Sequence, residues 1–251
     1  MSYISELAIA YIKGYKNQTF ENYTNLLTEV CQIHSPPHGM AWYGNLYRQC
    51  ARNQEWFANS LIINAREEGK GSQEAWQLSQ CIENQEFTRL VRNHSIDESR
   101  HSKMFVTLLN ILFPTEIEAD FRTNLKELSP SYSQQNHPPT AVISPDQVID
   151  EQLLMDTLIQ INLLEIRALV LQLLLRPVLQ AYARPEDLQK VTTMSDKFIS
   201  DESNHIGYSA YCIEEYIKLG NRDWVREIMI RRQASVNEFC LEKIDLEQVT
   251  G

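Results

Sequence analysis

The sequence predicts an all-α protein with a four-helix bundle core and further helices at both termini, and three observations carry that prediction. Apolar residues recur at threes and fours along most of the 251 residues. A five-residue pattern occurs twice, as Asp97-Glu98-Ser99-Arg100-His101 and as Asp201-Glu202-Ser203-Asn204-His205. One carboxylate, Glu165, falls in the middle of the most apolar stretch, Leu153 to Leu175. On a helix, a Glu and a His three residues apart share a face, so each copy of the pattern can offer a carboxylate oxygen and an imidazole nitrogen to one metal ion. Bundles that hold two metals take a Glu-x-x-His from each of two helices and a single Glu from each of the other two. Two single glutamates would complete such a set.

At 251 residues and 43% hydrophobic content the chain can bury one sizeable core, and residues 1–251 read as a single helical domain. The net charge of −10, from 23 basic and 33 acidic residues, speaks against nucleic acid or an anionic membrane as partner. Cys31, Cys50, Cys81, Cys212 and Cys240 form no Cys-x-x-Cys pair and are odd in number, so a cytoplasmic location is expected rather than a disulfide framework. Met1 to Lys16 has no basic leader and does not read as a signal peptide. Asp156, Glu165 and Arg167 interrupt the run from Leu153 to Leu175, so no membrane span is expected there.

In chain order, Leu7 and Tyr11, then Tyr23, Leu26, Leu27 and Val30, predict two short helices within residues 2–33. His34-Ser-Pro-Pro-His38-Gly39 breaks the pattern, and its two histidines read as surface residues of a loop. Tyr43, Leu46, Tyr47, Phe57, Leu61, Ala65, Ala75 and Trp76 predict a long helix from Met40 to about Ile82. A turn can fall at Gly69 and Gly71 or at Asn84. The latter is preferred, because Asn adopts the left-handed conformation that ends helices and because Glu68 and Glu98 each lie 15 residues from Glu83.

The next helix carries Phe87, Val91, His94, Glu98, His101, Phe105 and Leu108 on one stripe, and Pro114 ends it. Residues 114–128 read as a short amphipathic helix and 129–144 as extended chain. The core helices thus span about 42–112 and 145–219, with a crossover over 113–144. Ser144-Pro145 starts a helix that reaches Arg176-Pro177 or a little beyond and is apolar on nearly every face, as an enclosed helix must be. A turn over Ala183 to Asp187 leads to the second motif helix, whose inward stripe is Val191, Met194, Phe198, Glu202, His205, Ser209 and Cys212. Gly220 ends that helix; a last amphipathic helix runs from Asp223 to about Cys240, and a loose tail follows.

Glu165 needs a cationic partner, since an unpaired carboxylate in that setting costs roughly several kcal/mol. A metal ion is preferred over an arginine from elsewhere, given where the motifs lie. Glu67, Glu68, Glu74 and Glu83 compete for the equivalent role before Glu98, and Glu68 is chosen because it continues the face of Leu61, Ala65, Ser72 and Ala75. Asp97 and Asp201 are expected to orient histidines through the non-ligating ring nitrogen. His94 shares the face of Glu98 and His101 as an extra ligand, a proton shuttle or a hydrogen-bonded core histidine. Four carboxylates and two imidazoles without a thiolate suit iron or manganese better than structural zinc. Phe105, Phe198, Met194, Trp76 and Leu169 are expected to line an apolar chamber beside the metals.

With these residues the chain resembles the ferritin-like carboxylate-bridged diiron proteins. Asp97-Glu-Ser-Arg-His101 is similar to the Asp-Glu-x-Arg-His signature of bacterial multicomponent monooxygenases, and acyl-carrier-protein desaturases and ribonucleotide reductase radical subunits carry close variants. The resemblance covers about residues 42–215. It implies Glu68, Glu98, His101, Glu165, Glu202 and His205 as ligands to two iron ions, with manganese as an alternative at one of them. It further implies dioxygen and a small organic molecule as substrates, a separate reductase or the substrate itself as electron donor, and a homodimer as an admissible assembly. The p-aminobenzoate N-oxygenases are nearest in style and share a His-x-x-x-Glu-x-x-His set; theirs lies in the last ligand helix, where this chain has Phe198, and His94 lies in the earlier one. Haem-oxygenase-like diiron oxidases are similar in size, but their His-x-x-x-Asp-x-x-His pattern is missing near the second motif. The implied activity is that of a dioxygen-activating oxygenase or oxidase, by N-oxygenation or hydroxylation, with iron storage or peroxide detoxification as the alternative.

Overall fold

A computed structural model describes residues 3–114 and 148–249, with side chains described as far as Leu241. All regular structure among these residues is helical. The helices are α1 (Tyr3–Ile12), α2 (Glu21–Ile33), α3 (Ala41–Cys50), α4 (Gln54–Gln80), α5 (Gln85–Leu112), α6 (Glu151–Tyr182), α7 (Leu188–Tyr216) and α8 (Arg222–Val249). The expected short helix after Pro114, the extended crossover and the Ser144-Pro145 helix start lie outside the described residues.

Several boundaries differ from those the periodicity predicts. The long helix expected from Met40 to Ile82 is two helices, because Asn53 starts α4 afresh: its side-chain oxygen accepts the Trp56 N–H at 3.1 Å. The next turn does fall at Asn84, but by another device. Asn84 is extended (φ −67°, ψ 111°), and its side chain accepts the N–H groups of Glu86 and Phe87, so it begins α5 instead of ending α4 in the left-handed region. Residues 148–150 are non-helical and α6 begins at Glu151, later than expected; it continues past Pro177 to Tyr182. α8 runs to Val249, through the stretch expected to be a loose tail. Gly220, with φ +98°, does turn the chain between α7 and α8, in a conformation that glycine adopts without steric cost.

The chain forms two compact units: residues 1–47, 151–175 and 199–251 make the first, and residues 48–150 and 176–198 the second. In the first unit, Tyr23, Leu26, Leu27 and Val30 of α2 are fully buried, as are Leu158 and Ile159 of α6 and Ile206, Ala210 and Ile213 of α7. Phe20 cannot cap α2 with its side chain, and the buried carboxylate of Glu214 does so from α7. It accepts the Tyr23 N–H and the Asn22 side-chain N–H, both at 2.8 Å. Asp156 of α6 holds α8 through a two-pronged pair with Arg232 (2.6 and 2.9 Å), and Arg226 of α8 pairs with Glu29 of α2.

The second unit is built on the antiparallel hairpin of α4 and α5. At its far end Phe57 stacks on Tyr182 at 5.0 Å and meets the edge of Phe113, while the Tyr182 hydroxyl donates to the Ala51 carbonyl at 2.9 Å. By length and composition α6 is long and apolar enough to cross a membrane, contrary to the expectation drawn from its charges, and 56% of its most apolar window is buried inside the fold. A core helix passes the same test. Buried Asn162, Glu165 and Gln172 on that helix fit a core helix that faces polar partners.

Candidate metal centre

In the second unit the site grows out of the way α4 meets α5. The Ser72 hydroxyl donates to the Ser95 carbonyl at 2.7 Å, and the Ser95 hydroxyl returns a bond to the Ser72 carbonyl at 2.8 Å. Two helical turns along, the Ser102 hydroxyl donates to the Ala65 carbonyl at 2.7 Å. Small side chains at these rungs let the two backbones approach and fix one register. Glu68 lies between the rungs, and its Oε2 stands 3.5 Å from His101 Nδ1. Glu98 Oε1 stands 3.6 Å from the same Nδ1, and 3.3 Å from His94 Nε2. His101 is fully buried; Glu67, Glu74 and Glu83 are exposed, and Glu74 pairs with Lys70.

The first unit carries a group of the same build. His205 Nδ1 lies 3.3 Å from Glu165 Oε2 and 3.5 Å from Glu202 Oε2, and His205 and Glu202 are almost wholly buried. Here an amide sets the register. Asn162, three residues before Glu165 on α6, donates to the Ser209 hydroxyl at 2.9 Å and to the Ile206 carbonyl at 3.3 Å. Ser209 in turn donates to the His205 carbonyl at 2.7 Å, and Tyr23 of α2 donates its hydroxyl proton to Asn162 at 2.9 Å. Burial holds the Tyr23 hydroxyl far above its ordinary pKa, so it remains a donor at any physiological pH.

Each unit thus brings two glutamates to within 3.3–3.6 Å of one histidine, all buried except the partly exposed Glu68, and the buried His and Glu residues of the protein include groups that could hold a metal ion. The donor spacings of 3.3–3.6 Å are long for hydrogen bonds and suit two donors on one ion. Two atoms each about 2.1 Å from a metal lie about 3.0 Å apart at right angles and about 3.4 Å apart in a tetrahedral arrangement.

No family model, curated protein or solved structure matches this chain. The metal-binding groups rest on their own geometry.

The remaining predicted residues fall in different settings. Asp97 is partly exposed and pairs with Arg100, its neighbour one turn along α5. Asp201 is buried, 1% exposed. Phe198 lies edge-on to His101, 4.9 Å between ring centroids, and stacks on Phe105 at 4.5 Å, so both belong to the wall around His101. Trp76 carries the Arg92 guanidinium over its ring at 5.2 Å. A surface cleft of about 410 Å³ lies elsewhere, lined by Ile12, Lys13, Phe20 and Thr24 among others, with none of the histidines or glutamates above. Sequence reasoning missed the register-setting residues Ser95, Ser102 and Asn162. Their signal is a small or amide side chain on an inward face, one turn from a candidate ligand.

His38 corrects the expectation of a surface loop histidine: it is only 4% exposed. The 3₁₀ turn Pro37–Gly39 carries it inward, against α8.

Proposed function

We propose that this protein is a dioxygen-activating non-haem diiron oxygenase or oxidase acting on a small organic substrate, on a ferritin-like four-helix frame. The observation that carries the proposal is the repetition of one close Glu, Glu and His group in each unit, buried but for the partly exposed Glu68: Glu68, Glu98 and His101, and Glu165, Glu202 and His205. The donors are oxygen and nitrogen alone, which favours iron or manganese. A pair of ferrous ions, when bound, supplies the electrons that dioxygen needs for reduction and the means to oxidise a strong C–H or N–H bond.

The chain's own residues do the rest. The seryl rungs of α4 and α5 and the Asn162 amide hold the ligands in register, so that little reorganisation accompanies metal binding. Phe105 and Phe198 keep water from the His101 ring. His94 Nε2, 3.3 Å from Glu98 Oε1, can hold or release a proton beside that carboxylate, and at the matching place before Glu202 the chain has Phe198. Proton access therefore differs between the two groups. In this reading electrons come from a separate reductase or from the substrate itself.

Anaerobic loading with Fe(II) should give two iron equivalents per chain, and admission of air should then consume dioxygen. Glu98→Ala and Glu202→Ala should lose both iron and dioxygen uptake. A folded protein that takes up only trace iron would end the proposal, and a large spherical assembly that accumulates iron would favour storage instead.

A further inference from the structure

We propose that Tyr23 of α2 is a positioning residue for the metal group of the first unit, a role that rests on the reading of Glu165, Glu202 and His205 as ligands. Through Asn162, its hydroxyl couples the seating of α2 to the affinity of that group for its ion.

Donors and acceptors run in a single direction from α2 to the ligands. The Ile206 carbonyl can only accept, so the part of Asn162 that meets it at 3.3 Å is the amide nitrogen. Oδ1 therefore faces α2, and the Tyr23 hydroxyl must donate to it, at 2.9 Å. The other amide hydrogen goes to Ser209 Oγ at 2.9 Å, and that hydroxyl donates in turn to the His205 carbonyl at 2.7 Å. Tyr23, Asn162 and Ser209 are all wholly buried. Asn162 precedes Glu165 by three residues on α6, and Ser209 follows His205 by four on α7, so the network lies one turn from both ligands. Those ligands stand 3.3 Å apart, Glu165 Oε2 to His205 Nδ1.

The N-terminal segment meets α7 at two further places. Tyr15 lies against Gly207, where a Cβ would stand 2.5 Å from the ring, so glycine admits this contact two residues after His205. Glu214 accepts the Tyr23 N–H at 2.8 Å at the start of α2. The segment thus rests on α7 just past its ligands, and Tyr23 ties it to α6 as well. Removal of the phenolic hydroxyl would leave Asn162 Oδ1 a buried acceptor without a donor, and a turn of the amide would set it against the Ile206 carbonyl. Either change loosens the tie between α6 and α7, and with it the spacing of Glu165 and His205. Loss of a partner that orients metal ligands typically costs about 10–100-fold in metal affinity.

The full-length protein, freed of metal, is titrated with manganese(II), and the free ion is read by its electron paramagnetic resonance signal. Tyr23→Phe should weaken one manganese ion by about tenfold. Ser209→Ala, the milder change, should weaken it by a similar factor. The double variant should stay near tenfold, because both hydroxyls act through one amide; independent losses would multiply to about a hundredfold. Tyr182→Phe is the control, since it deletes a hydroxyl bond of the same 2.9 Å length to the Ala51 carbonyl in the second unit. It should lower the melting temperature and leave manganese affinity unchanged. Wild-type affinity in Tyr23→Phe, equal weakening in Tyr182→Phe, or a hundredfold loss in the double variant would each overturn the positioning role while the metal reading stands. No manganese binding by the wild type would overturn both.

Discussion

At neutral pH the imidazole of His38 carries no charge, because burial and the Arg167 guanidinium hold its pKa at about 3. An unfolded chain takes up that proton near pH 6.5. The unfolded state therefore binds more protons between these values, and stability falls as pH drops from about 6.5 toward 3, at up to about 1.4 kcal/mol per pH unit. Above pH 6.5 the contribution is complete. Urea unfolding of wild type and His38→Gln should show a flatter acid limb in the variant; parallel limbs would place the ring in water. Its burial was not legible in the sequence, since it depends on the Gly39 turn seating against Ile4, 35 residues away. Glu68 is the opposite case. Its helical face singled it out of four glutamates, and it is the one within 3.5 Å of His101 while the other three are exposed. Glu68→Ala should lower metal content, measured by elemental analysis after loading, and Glu67→Ala should leave it unchanged.

Among the elements, the α4 and α5 hairpin shows how local chemistry sets the placement of ligands. Its existence was legible because the apolar stripe and the turn at Asn84 agree. Its exact register was not, because hydroxyl-to-carbonyl bonds between helices leave no periodic mark. The replacement Ser72→Ala with Ser95→Ala removes two buried seryl bonds and should lower the unfolding free energy by about 1 kcal/mol for each. It should also weaken metal binding, since Glu68 would no longer be held against His101. Asn84→Ala should cost a similar amount, about 1 kcal/mol, through loss of the cap that serves Glu86 and Phe87. Its metal affinity should stay near that of the wild type, because the rungs lie well along the hairpin from the turn. Denaturant midpoints and metal titrations on the same samples separate the two effects. The break at Asn53 went unread for a related reason: apolar residues keep helical spacing on both sides of it, and only the side-chain cap marks the restart.

For the molecule as a whole, the six proposed ligands on a chain of net charge −10 make metal binding and stability one measurement. A metal that binds the folded chain alone adds about 2.7 kcal/mol of stability when its free concentration is 100 times Kd. Manganese(II), or iron(II) without oxygen, should therefore raise the melting temperature, and a chelator should reverse the rise. Glu98 belongs to one unit and Glu202 to the other, and the proposed oxidase needs both trios loaded. Glu98→Ala and Glu202→Ala should therefore each lower the metal-dependent rise in melting temperature and abolish dioxygen uptake. An unchanged rise in either variant would show that its trio holds no metal, and the diiron reading would fall.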